Sequence, residues 1–192
     1  MQTAVRRRPV QRRSVERFER ILDSCAELLD DVGYAGLTTK EVARRARVPI
    51  GTLYQFFPGM EGLLGALARR NLDQYTERLS HRVEAARPAD LGALVDLAVE
   101  EYVAMHRSTP GFGVIDFGSA ASTAPPSAAL ADPLSALAVE LLADSPRRPP
   151  QIALRVALEA SGAVLRLAFR DNPEGDPALI AECARLIRSY LA

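Results

Sequence analysis

Apolar positions recur at three- and four-residue steps along most of the chain, with no sustained apolar–polar alternation. That period places apolar side chains on one face of successive helices rather than strands. The first stripe is Val15, Phe18, Ile21, Leu22, Cys25, Leu28, Leu29 and Val32. It predicts a helix from about Ser14 to Asp31, capped by Ser14, with Gly33 just past its end. Thr38 and Glu41 have capping-box spacing, in which each side chain satisfies a backbone N–H of the first turn. They open a short helix that ends near Ala46. A third short helix begins at Pro49 or Ile50, since proline is tolerated in a first helical turn. It reaches Phe57, and Pro58 stops it.

The remainder also carries the helical period. Leu64, Ala68, Leu72, Tyr75, Leu79 and Val83 share a face of a helix from about Met60 to Ala86. Asp90 caps the next, which carries Leu91, Leu94, Ala98, Tyr102 and Met105. A short helix is expected within 110–119, a loop over 119–133 and a helix over about 133–143. Pro149 and Pro150 precede a long helix reaching about Arg170. Asp176-Pro177 reads as a cap followed by a first-turn proline, and opens a last helix with Leu179, Ile180, Cys183, Leu186, Ile187 and Tyr190. The expected fold is all-α, with about nine helices.

The long helix before Arg170 keeps Arg155, Glu159, Arg166 and Arg170 on one narrow face. Elsewhere it is apolar nearly all round, with small residues at 160–163 that permit close approach. Such a helix needs partners on more than one side. The last two long helices are therefore expected to pair with their copies in a homodimer.

Composition narrows the class. A chain of 192 residues with 48% hydrophobic and 25% charged content fits a soluble globular protein of one or two domains. Its net charge is zero, but the charges are unevenly placed. Residues 1–58 hold eleven Lys/Arg against seven Asp/Glu; residues 59–192 hold thirteen against seventeen. A basic front and an acidic back suggest that the front meets a polyanion. Cys25 and Cys183 belong to no CxxC pair or ligand cluster, so no metal or disulfide framework is expected. His81 and His106 are isolated. With no phosphate loop, nucleophile elbow or acid–base constellation, neither enzymatic activity nor a cofactor is expected. No apolar run is long enough to span a membrane, and Arg6, Arg7, Arg8, Arg12 and Arg13 precede no apolar signal segment. A cytoplasmic location is expected.

The chemistry lies in the two short helices. Two such helices about a tight turn, braced by a preceding helix, make a helix-turn-helix. Its second helix enters the major groove of DNA with its N-terminal residues toward base edges. Val42, Ala43, Ala46, Val48, Leu53 and Phe57 form the expected core. Thr38, Thr39, Lys40, Arg44, Ile50, Gly51, Thr52, Tyr54, Gln55 and Phe56 are the candidate DNA-binding residues, with packing into the core the alternative for Phe56. Gln55 suits adenine and Ile50 suits a thymine methyl. The arginines of a basic arm over 1–13 either enter a minor groove or form a solvated tail.

Gly33-Tyr34, Thr38-Thr39, Val42-Ala43 and Thr52-Leu53-Tyr54 occur in the order and spacing of TetR-type regulators, which residues 14–67 resemble. The chain departs from that pattern at Arg47, where the family usually has glycine, and at Met60, where it usually has a phosphate-gripping lysine. The resemblance implies a DNA-binding domain over 14–58 and an effector-binding and dimerisation domain over 59–192. It implies a ligand-responsive regulator, by family default a repressor, which reads a palindromic double-stranded operator and is released by a small molecule. Tyr75, Tyr102, Met105, His106, Phe112, Asp116 and Phe117 are the candidate effector contacts. Two alternatives remain: a non-sequence-specific DNA-binding protein, and a helical small-molecule-binding protein or enzyme with a vestigial helix-turn-helix.

Overall fold

The computed structural model describes residues 12–115 and 151–191. Among them lie eight helices: α1 (Arg12–Gly36), α2 (Thr39–Arg45), α3 (Ile50–Phe56), α4 (Met60–Ala86), α5 (Leu91–Ser108), α6 (Phe112–Ile115), α7 (Gln151–Phe169) and α8 (Pro177–Leu191). No described residue is in a strand. The fold is all-α, as the hydrophobic period requires. Most of the expected arm, the loop over 119–133, the helix over 133–143, Asp116 and Phe117 lie outside the described residues.

The described chain forms two compact units. The first holds residues 12–71 and 109–115; the second holds 72–108 and 151–191. The contacts of the helix-turn-helix thus run past residue 58 into the first turns of α4.

In the first unit, Ile21, Leu22, Cys25, Leu28 and Leu29 of α1 are buried with Val42, Ala43, Ala46, Leu53 and Phe57. Leu63, Leu64 and Leu67 of α4 complete this core. Burial of a Leu, Ile or Phe side chain contributes about 1.5–3 kcal/mol each. Phe18 stacks on Phe57 at 5.0 Å between ring centroids. Ion pairs tie the elements at the rim. Arg70 of α4 meets Asp23 at 2.6 Å and Glu19 at 3.4 Å on α1. Arg45 of α2 meets Asp31 at 2.6 Å. Gly111, at φ +72°, donates its N–H to the Asp30 carboxylate at 3.0 Å. A Cβ there would stand 2.9 Å from the Ala26 backbone, so the approach of this segment to α1 requires glycine.

Several details of α1 differ from expectation. It runs from Arg12, so Ser14 is inside it and does not cap it. Arg12 pairs with Glu16 one turn on, which favours the longer helix. Its path breaks at Gly33, at φ +66°, and one further turn reaches Gly36. Val15 and Val32, at the ends of the expected stripe, are exposed.

In the second unit, Leu72, Tyr75, Leu79 and Val83 of α4 are buried, as are Leu94, Tyr102 and Met105 of α5. The Tyr75 hydroxyl donates to the Ala98 carbonyl at 2.9 Å. Asp90 caps α5, accepting from the Ala93 N–H at 2.8 Å. Asp176 caps α8, accepting from the Ala178 N–H at 2.8 Å. Arg188 of α8 pairs with Asp96 of α5. Burial pushes the Cys25 thiol up to about 12 and the Cys183 thiol to about 11. Neither sulfur is a thiolate near neutral pH.

Candidate nucleic-acid interface

Thr38 is extended, at φ −131°, and its Oγ1 accepts from the Glu41 N–H at 3.2 Å. That is half of the expected capping box. The Glu41 carboxylate accepts from Arg44 Nε at 3.0 Å instead, a bond in which donor and acceptor are both charged. The Arg44 bond holds the Glu41 carboxyl below its ordinary value. Arg44 thus enters any interface already paired.

The turn after α2 closes with the Arg47 N–H on Arg44 O at 3.2 Å and the Val48 N–H on Ala43 O at 3.0 Å. This paired pattern satisfies the last carbonyls of the helix and requires a left-handed residue at its corner. That residue is Arg47, at φ +53°. Pro49 caps α3 from outside and does not form its first turn. Its carbonyl accepts from the Thr52 N–H at 2.8 Å.

α3 is two turns long, and its burial pattern fixes its orientation. Leu53 and Phe56 are buried, with Phe57 beyond the helix end. Ile50, Gly51, Tyr54 and Gln55 are exposed, and Thr52 is half-buried. Phe56 leaves the candidate set: it is 6% exposed and packs edge-on against Phe18, with ring centroids 5.9 Å apart. Phe18 reaches between the two adjacent phenylalanines and covers both.

Tyr54 is 43% exposed, and its hydroxyl lies 3.1 Å from Thr39 Oγ1. That bond joins the start of α2 to the outer face of α3. Exposed Lys40 forms no ion pair with another described residue. The combined surface offers an ammonium, hydroxyls, an amide and an apolar side chain. Those are the groups that engage phosphates and base edges.

The candidate effector residues are divided. Tyr75, Tyr102, Met105 and His106 belong to the second unit, where His106 stacks on Phe169 at 3.6 Å. Burial raises the Tyr75 hydroxyl well above its ordinary value. Phe112 belongs to the first unit and is fully buried. One feature escaped the sequence reading. Glu101 is only 3% exposed, with Arg78 at 2.6 Å and Arg82 at 3.4 Å. The signal was the i, i+4 spacing of those two arginines. No group of three metal-ligating side chains occurs among the described residues.

The family model for bacterial regulatory proteins of the tetR family matches residues 21–67. The model for the tetracyclin repressor-like C-terminal domain matches residues 89–192. The crystal structure of a TetR-family transcriptional regulator from Streptomyces coelicolor is 41% identical, covers 91% of this chain and 97% of its own, and superposes with a TM-score of 0.81. The HTH-type transcriptional repressor KstR of Rhodococcus jostii (strain RHA1) is 38% identical over 63 residues, 33% of this chain and 30% of KstR. The A-factor receptor protein of Streptomyces griseus is 34% identical over 86 residues, 45% of this chain and 29% of the receptor. The matched segments thus span less than a third of either curated relative.

Proposed function

Because the chain belongs to the TetR family of bacterial regulatory proteins, we propose that it is a sequence-specific DNA-binding regulator, not an enzyme. The observation that carries this reading is the outer face of α2 and α3. Thr38, Thr39, Lys40, Ile50, Gly51, Thr52, Tyr54 and Gln55 form it, with Tyr54 anchored through Thr39. Lys40, Thr38 and Tyr54 take phosphates; Ile50, Thr52 and Gln55 read base edges. Arg44 reaches DNA only by giving up Glu41.

Residues 14–58 serve as the DNA-binding domain and 59–192 as the effector-binding and dimerisation domain. The last two helices support a dimer. Ile152, Val156 and Leu167 of α7 and Leu186 and Tyr190 of α8 are large apolar side chains left exposed in the single chain. A homodimer covers them and presents two copies of α3 to a palindromic operator. A small-molecule effector binds around Tyr75, Tyr102, Met105 and His106 and releases the DNA. It acts through its preference for one arrangement of the two reading heads. KstR is named a transcriptional repressor, which supports a repressor role here. No described helix is long and apolar enough to cross a membrane, consistent with a cytoplasmic regulator.

Selection of bound sequences from a random DNA pool tests this reading. The expected result is two inverted half-sites centred about one helical turn, ~34–36 Å, apart or a multiple of it. Recovery of unrelated sequences would instead assign the protein to non-specific DNA binding.

A further inference from the structure

Glycine in a helix needs a reason, because alanine loses less freedom on folding and stabilises the same conformation. For several glycines of the described chain, inside helices and in the turns between them, the reason is local and visible. Gly33, Gly59, Gly111 and Gly175 take positive φ. A Cβ on Gly175 would stand 2.9 Å from the Phe169 ring, and one on Gly36 would stand 2.9 Å from Val32. Gly51, the second residue of α3, has neither reason. Its φ is not positive, and a Cβ built on it meets no atom within 4 Å. Nothing within the described protein requires the missing side chain.

The position is also exposed, on the outer face of α3. Exposed Tyr54 and Gln55 lie one turn on along the same side of the helix, so the glycine leaves a gap beside their side chains. We propose that Gly51 is a specificity-determining residue whose missing side chain makes room for a base edge in the major groove. The α3 backbone can then approach the bases closely enough for Ile50, Thr52 and Gln55 to read them. This rests on the DNA-binding reading above, and it assigns to Gly51 a steric role rather than a hydrogen-bonding or charged one. Even a methyl group there holds α3 away from its preferred sequence. Non-specific binding, in which α3 lies less deeply in the groove, tolerates that methyl.

The experiment compares wild type with Gly51→Ala and Gly51→Val, using the duplex selected by the wild-type protein and a random duplex at the same salt. The melting temperature of each unliganded protein is measured alongside. For Gly51→Ala the melting temperature is expected to rise by about 1–3 °C. Its affinity for the selected duplex is expected to fall about tenfold or more, while random-duplex affinity stays within about threefold. Gly51→Val should lose more affinity for the selected duplex than Gly51→Ala, as a steric gap requires. Wild-type affinity in Gly51→Ala would overturn the proposal while leaving the DNA-binding reading intact. A lowered melting temperature would also overturn it, since the glycine would then serve the fold. If the wild-type protein itself discriminates no sequence, both readings fall together.

Discussion

Arg47 is a residue whose backbone and side chain pull in different directions. The turn between α2 and α3 needs a left-handed corner, and Arg47 supplies it at φ +53°. A side chain there costs on the order of 1 kcal/mol relative to glycine. Arg47→Gly should therefore raise the melting temperature by about 2–4 °C, read by circular dichroism. A fall would mean that the guanidinium makes a contact outweighing the strain. The strained turn was legible in the sequence, because a tight turn between two short helices demands that conformation somewhere. The burial of Phe56 was one of two open readings. Two adjacent phenylalanines at the end of a two-turn helix cannot both be assigned by period, and in the fold Phe18 of α1 packs against both. The fate of Glu41 was hidden. It had two possible partners, and it pairs with the charged one.

At the scale of elements, α4 was the most legible. Its stripe persists from Leu64 to Val83, and its bounds, Met60–Ala86, match the expected helix. The docking of α6 on α1 was not legible. It depends on Gly111 meeting Asp30, eighty-one residues away in sequence. That contact belongs to the first unit and includes Phe112 in it, whereas the other described effector candidates belong to the second. The start of α4 carries its own prediction. Met60 is half-buried against the first unit's core, where the family's usual lysine would grip a phosphate. Met60→Lys should tighten DNA binding and steepen the log–log salt dependence by about one unit. Sequence preference should hardly change, because a phosphate contact positions and does not specify. An unchanged slope would mean that this helix start stays clear of the DNA backbone.

At the scale of the whole molecule, the charge division acquires a physical basis. The acids of α1 are engaged within the first unit. Glu19 and Asp23 hold Arg70, Asp31 holds Arg45, and Asp30 holds the Gly111 N–H. Lys40 and Arg47 lie exposed on α2 and its turn. The apolar surface of α7 and α8 makes the second whole-molecule expectation. Ile152 is 66% exposed and Tyr190 51% exposed. The protein should show twice the mass of its 20.8 kDa chain at micromolar concentration. Ile152→Glu with Leu167→Glu should shift it toward monomer, read by analytical ultracentrifugation. A monomeric wild type would contradict the dimer and, with it, the two-headed reading of a palindrome.

The central claim is that this surface distinguishes one DNA sequence from others. The most direct test is the ratio of affinities for the selected duplex and a random duplex of equal length, measured in one buffer at physiological salt. A ratio on the order of 10³ or more is expected of a sequence-specific regulator. A ratio within about tenfold would contradict the claim and leave only the electrostatic, non-specific binding that a basic surface provides.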